Sequence, residues 1–106
     1  AVHAACCFAA GFTASIAAHA QSLMESSGLS HDQARRAVEC LSASAINQAL
    51  EGLGLTGPAI RGDLNTLEAH LEVLGPLAPL YRALSLSMAA HHPLESKITA
   101  RLSLAD

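Results

Sequence analysis

The sequence predicts an all-α fold, a bundle of about five helices built around a long, central N-terminal helix. Three observations predict it. Apolar residues make up 51% of the chain but aromatic residues only 3%, so burial has to come from many small side chains, chiefly Ala and Leu. Ala is the strongest helix former and lets helix axes approach closely. Apolar positions recur at helical spacing along most of the chain, and no stretch alternates in the manner of a strand. The 106 residues are one domain's worth, enough for a single core and too few for a nucleotide domain and a substrate domain together.

The first helix is predicted from Val2 to about Ser27, with Phe8, Phe12, Ile16, Leu23 and Met24 mainly at i, i+4 and i+7 spacings. At 1.5 Å per residue it would be about 40 Å long, more than so small a domain covers by itself. A second subunit or a neighbouring domain is the natural cover. His3, Thr13 and Ser15 interrupt its apolar run and Ala gains little in lipid, so a buried central helix is favoured over a membrane span. Gly28 supplies a stop, and Ser30 with Gln33 forms a capping box for a second helix reaching about Glu51. Its expected inward stripe is Ala34, Val38, Leu41, Ala45, Ile46 and Ala49.

Gly52-Leu53-Gly54 breaks that helix and leads to Leu55–Asp63, a segment dense in special residues. Gly57 and Gly62 permit positive φ or close backbone approach, Pro58 fixes one φ, and Asp63 can cap the helix that follows. A third helix is predicted over about Leu64–Leu74, with Leu64, Leu67, Leu71 and Leu74 inward. After Gly75-Pro76 a fourth, with Pro76 or Pro79 in its first turn, reaches about His91, with Leu80, Leu84 and Met88 inward. Pro93 is its expected stop. A last segment, about Leu94–Leu104, places Ile98 and Leu102 on one face and Lys97 and Arg101 off it.

The net charge of −3, with six Lys and Arg in all and no basic run, argues against nucleic acid as the main partner and against an anionic membrane surface. Cys6, Cys7 and Cys40 form neither an even framework nor a metal-ligand spacing and read as buried thiols of a reducing, cytoplasmic compartment. The other histidines, His19, His31, His70 and His91-His92, lack ligand geometry with a third donor, so no metal site is expected. Ser15, Ser42 and Ser44 lack the elbow of a nucleophilic serine. The chain starts within a helical pattern without a signal peptide, and reads as one domain of a longer protein.

Leu55-Thr56-Gly57-Pro58, then Arg61-Gly62-Asp63, Thr66, His70-Leu71 and Leu74 resemble the signature of the DUF2520 family, helical C-terminal domains that follow a Rossmann domain in predicted NAD(P)-dependent oxidoreductases. The resemblance covers about residues 2–90. It implies a fold like the C-terminal domain of 6-phosphogluconate dehydrogenase, and the order of parts also resembles pyrroline-5-carboxylate reductase, whose helices build an intertwined dimer with the substrate pocket beside a Thr-Ser-Pro-Gly-Gly-Thr-Thr segment. Here Leu55-Thr56-Gly57-Pro58 stands in that place without the Gly-Gly-Thr-Thr. The implied partners are a second copy, the protein's own N-terminal Rossmann domain, which holds most of the NADP or NAD, and a small-molecule substrate.

The resemblance also implies roles for particular residues. His3 lies where the family has a His near the start of the long helix. It is either a proton-trading group for the substrate oxygen or a helix-end histidine bonded to solvent or backbone. The family's usual Ser-Asn pair reads Ala10-Gly11 here, which removes an amide that could hold substrate or cofactor. Gly11 opens room for a ligand, permits a kink or serves close helix packing. Asn47 either bonds the carbonyls of the Gly52–Thr56 turn or reaches a ligand. Thr56 and Gly57 are expected at the substrate. Arg61 is the candidate for a substrate carboxylate, with Asp63 either orienting it or simply pairing with it, and His70 is expected to pack against the Leu55–Asp63 segment. The function implied is that of a dimerisation and substrate-pocket domain of a reductase or dehydrogenase of small keto or imino acids, inactive by itself. The alternatives are a non-catalytic helical dimerisation module and a ketopantoate-reductase-like enzyme.

Overall fold

A computed structural model describes residues 1–90 and 95–104. The described residues are all-α: five helices of ten residues or more, the N-terminal one much the longest, with a single helical turn, a 3₁₀ turn and no strand among them. They form two compact units, residues 1–53 and 54–106.

In the first unit, α1 runs Val2–Ser26 and α2 His31–Leu50. The helix α1 is not uniform, because Phe8–Phe12 forms a π-helical turn. Gly11 sits inside it, and the Thr13 hydroxyl donates to the Phe8 carbonyl at 2.6 Å, stabilising the widened turn from outside the backbone ladder. Gly11 thus marks a local change of helical pitch. The end of α1 is set by a Schellman motif: Gly28 takes φ +110°, its N–H donates to Glu25 and that of Leu29 to Met24. The helix α2 then opens on the expected capping box, Gln33 N–H to Ser30 Oγ at 3.1 Å and Ser30 N–H to Gln33 Oε1 at 2.9 Å, and closes on a second Schellman motif through Gly52 and Leu53.

Burial in this unit falls short of the sequence expectation. No residue of α1 is buried, although a buried helix was the favoured reading. Of the α2 stripe only Ala34 is buried and Val38 half-buried, while Leu41, Ala45, Ile46 and Ala49 are exposed. The two helices cover one another mainly near their turn, where Ala17, Ala20, Leu23 and Met24 meet solvent only in part. Two helices offer each other one seam, which leaves the remaining apolar faces bare. The cysteines follow suit: Cys6 and Cys40 are exposed and Cys7 half-exposed, not the buried thiols expected.

The second unit closes a core. The single turn α3 (Pro58–Arg61) leads to α4 (Leu64–Leu74), a 3₁₀ turn (Gly75–Leu77), α5 (Ala78–Ala89) and α6 (Glu95–Leu104). Ala59, Leu67, Ala89, Ile98 and Leu102 are buried together, with Leu64, Leu71, Tyr81, Leu86 and Met88 packed on them. Fully burying Leu67, Ile98 and Leu102 stabilises by about 2 kcal/mol each, and an ion pair between Arg101 and Glu68 ties α6 to α4 at the rim. Pro79 stands in the first turn of α5, as expected. The inward face of that helix matches the expectation only at Met88, which packs on the core: Ala78, Ser85 and Ala89 are buried, while Leu80 and Leu84 stay more than a third exposed. With α3, α4 and α6 all packed against α5, its most deeply buried positions are small, and Tyr81, Leu86 and Met88 pack on the core beside them. The expected stop at Pro93 and the His91-His92 pair lie outside the described residues.

Candidate functional site

The Leu55–Asp63 segment owes its path to glycine. Gly54, Gly57 and Gly62 all have positive φ, +125° at Gly57, conformations that residues with a Cβ adopt only under strain. Gly57 turns the chain into α3, where Pro58 fixes the first φ, and Gly62 turns it out again into the Asp63 cap of α4. This in-and-out path lays Thr56, Gly57, Pro58 and Ala59 against Tyr81, Leu84, Ser85 and Met88 of α5, and the two walls border a half-open cavity of about 270 Å³. The Met88 Cε methyl lies 3.9 Å from the point a Gly57 Cβ would occupy. A Cβ there would make only ordinary contact with Met88, so it is the positive φ of the turn that calls for glycine at this position.

The lining is carbon-rich, with the hydroxyls of Thr56 and Ser85 as its aliphatic polar groups and Ser85 itself buried. Tyr81 is held in place by His70: the imidazole Nδ1 lies 2.7 Å from the phenol oxygen, and the rings meet edge to face at 5.6 Å. Burial raises the Tyr81 phenol above its ordinary range, with the neighbouring Ser85 hydroxyl acting the other way. His70 also lies near enough to the Leu55–Asp63 segment to act electrostatically on Asp63.

The remaining sequence candidates fall in three groups. Thr56 and Gly57 line the cavity. Asp63 is committed to α4: its Oδ1 accepts the Thr66 N–H at 3.2 Å and its Oδ2 the Thr66 hydroxyl at 2.6 Å. Those bonds, and to a smaller degree the charge of Arg61, hold its carboxyl below the ordinary carboxylate range. The anticipated Arg61–Asp63 ion pair is not formed, and Arg61 ends α3 exposed, without an ion pair among the described residues. His3, in the first turn of α1, and Asn47, near the end of α2, belong to the first unit and are exposed. The Asn47 side chain does not bond the turn carbonyls; it is its backbone carbonyl that accepts the Glu51 N–H at 3.0 Å.

Sequence reasoning passed over Tyr81 and Ser85. A signal was available: Tyr81 is the chain's one tyrosine, and Tyr81, Leu84, Ser85 and Met88 follow i, i+3, i+4, i+7 on one helix face. Among the described residues no group of His, Cys, Asp and Glu is arranged to hold a metal ion.

A family model for a domain of unknown function, DUF2520, matches residues 1–88. The chain belongs to the DUF2520 family. The match takes in both walls of the cavity, and it ends before α6, so two of the three large side chains at the centre of the second unit, Ile98 and Leu102, lie beyond the family's own span. No curated protein and no solved structure matches the chain.

Proposed function

We propose that this DUF2520 chain is the dimerisation and substrate-pocket domain of an NAD(P)-dependent oxidoreductase acting on a small keto or imino acid. The observation that carries this reading is that Thr56 and Gly57, which stand where a reductase of the resembling architecture has its substrate segment, form one wall of a carbon-lined cavity. An exposed Arg61 with no ion pair among the described residues, on the same helical turn as Pro58 and Ala59, suits a substrate carboxylate, since a guanidinium binds that group bidentately.

The cavity does not fit the cofactor. Its 270 Å³ is below the roughly 300–1,000 Å³ of sites for drug-sized ligands, far too small for a dinucleotide, and no strand with a glycine-rich phosphate turn occurs among the described residues. NADP or NAD would be held by a Rossmann domain, with this chain binding and orienting the substrate.

The uncovered helices of residues 1–53 supply the reason for a second copy. Among the described residues α1 is the one helix long and apolar enough, by length and composition, to cross a membrane. A protein partner is the better cover, because α1 carries His3, Thr13, Ser15, His19, Gln21 and Ser22 along its length. The same bare faces also favour the second reading, a helical association module without catalysis, and Ala10-Gly11 in place of Ser-Asn points the same way.

The two readings separate in the protein carrying its cofactor-binding domain. An oxidoreductase binds NADPH and loses turnover on Arg61→Ala while remaining a folded dimer. No NADPH binding, or unchanged turnover in that variant, leaves the module.

A further inference from the structure

The cavity between the Thr56–Ala59 segment and α5 is narrow in its chemistry. Pro58, Ala59, Leu84, Met88 and the Tyr81 ring supply carbon, Thr56 and Ser85 a hydroxyl each, and no charged side chain lines it. A carboxylate or ammonium taken inside would lose its hydration with nothing to replace it. An aliphatic group, by contrast, exchanges water for carbon wherever it meets this lining. The cavity's 270 Å³ leaves room for a branched side chain and far too little for a dinucleotide.

Resting on the substrate-site reading above, we propose that this cavity is the side-chain pocket of that site: it takes a branched aliphatic group of about four or five carbons carried by a small keto or imino acid, and Leu84 and Met88 set the length it accepts. Met88 reaches across to Gly57, with its methyl at van der Waals distance from where a Gly57 Cβ would be, and so forms a floor that a longer chain meets. Leu84 keeps more than a third of its surface in water, which puts it at the edge of the cavity. The acid's charged end stays outside the carbon lining, in water. The Tyr81 ring is held by His70, so this wall is fixed before a ligand arrives, and little ordering is left to oppose binding.

The chain's two methionines make the test direct. Met88 lines the cavity and Met24 does not, so ¹³C-methyl methionine NMR on the full chain carries its own reference. Titration with 4-methyl-2-oxopentanoate is expected to move the Met88 methyl saturably, with a Kd on the order of 1 mM, and to leave Met24 in place. Each carbon removed, through 2-oxobutanoate to pyruvate, weakens binding by about tenfold. Leu84→Ala, at a partly exposed position that spares the fold, shifts preference toward 2-oxooctanoate. Leu84→Phe blocks 4-methyl-2-oxopentanoate while the Met24 methyl stays at its wild-type position. Equal movement of both methyls, a response to pyruvate as strong as to the six-carbon acid, or no movement of Met88 overturns the proposal. None of these measurements uses a cofactor. A chain-length-selective pocket in a protein that binds no NADPH would sink the oxidoreductase reading alone, and NADPH-dependent turnover without the Met88 response would sink the pocket alone.

Discussion

Residues 54–106 bury Leu67, Ile98 and Leu102 completely in a core that α3, α4, α5 and α6 share, whereas in residues 1–53 Ala34 is the one buried residue and Phe8 and Phe12 stand 70% and 52% exposed. Both units are helical, and both carry good end signals. The difference is in how many surfaces meet. Several elements converging from different directions enclose a volume, while two helices share a line. The Phe8 and Phe12 rings pack edge to face with each other at 5.2 Å, which satisfies one side of each ring and leaves the rest in water. Such a pair, four residues apart on a bare face, has the composition of an interface anchor, and this is the physical basis for expecting a second copy against α1.

The largest expected effect tests the closed unit. Leu67→Ala should destabilise residues 54–106 by about 3–4 kcal/mol, read by urea unfolding followed through amide exchange in α4. Leu41→Ala in the open unit should cost under about 0.5 kcal/mol in dilute solution. Comparable losses would mean that the open unit has a core as well, and the comparison would break.

Next in size is Phe12→Asp, which places a charge on the bare face of α1 without touching the caps. Sedimentation equilibrium should show the proposed dimer weakened by about a hundredfold. A wild-type chain that stays monomeric at every concentration would refute the shared-helix explanation outright.

Gly11→Ala is a smaller and more specific test. Nothing lies within 4 Å of a Cβ built there, so in the monomer the substitution should stabilise α1 by about 0.5–1 kcal/mol, seen as increased helicity at 222 nm. A loss of dimer affinity in the same variant would sharpen the comparison by placing the second copy against the π-helical turn.

The smallest effect is a pH dependence of the closed unit. Thr66 holds the Asp63 carboxyl below its ordinary range in the folded state, so its stabilising contribution is fully present above the unfolded value of about 3.9 and is lost as pH falls through the folded value. In Asp63→Asn, which keeps an acceptor for Thr66 but cannot titrate, the acid unfolding midpoint of residues 54–106 should move down relative to wild type.

Much of this fold was legible before the coordinates because its signals are local. Ser30 with Gln33, Gly28, Gly52, Asp63 and Pro79 act within one turn of themselves, and a helix end is decided by which nearby group satisfies its free N–H and C=O groups. The inward residues of α4 and α6 are legible as well, since Leu67 lies on a helical stripe with Leu64, Leu71 and Leu74, and Ile98 and Leu102 stand four apart on a helix with few other large apolar residues. For the candidate site, the special residues of Leu55–Asp63 announced a fixed backbone path and put Thr56 and Gly57 on the list. The pairing of Asp63 with Thr66 instead of Arg61, and the other wall of the cavity, did not follow from it.

Tertiary structure alone decided which face of α5 turns inward, because hydropathy favours Leu80 and Leu84 while the three neighbouring helices bury Ala78, Ser85 and Ala89, with Tyr81, Leu86 and Met88 packed beside them. That rotation turns Tyr81, Leu84, Ser85 and Met88 toward Thr56–Ala59 and so makes the cavity. It also decided that Cys6, Cys40 and the apolar stripe of α2 stay uncovered. Sequence sets where each helix begins and ends through contacts a few residues long; which side of it meets another helix depends on the size of side chains brought together from distant positions, and no local pattern carries that information.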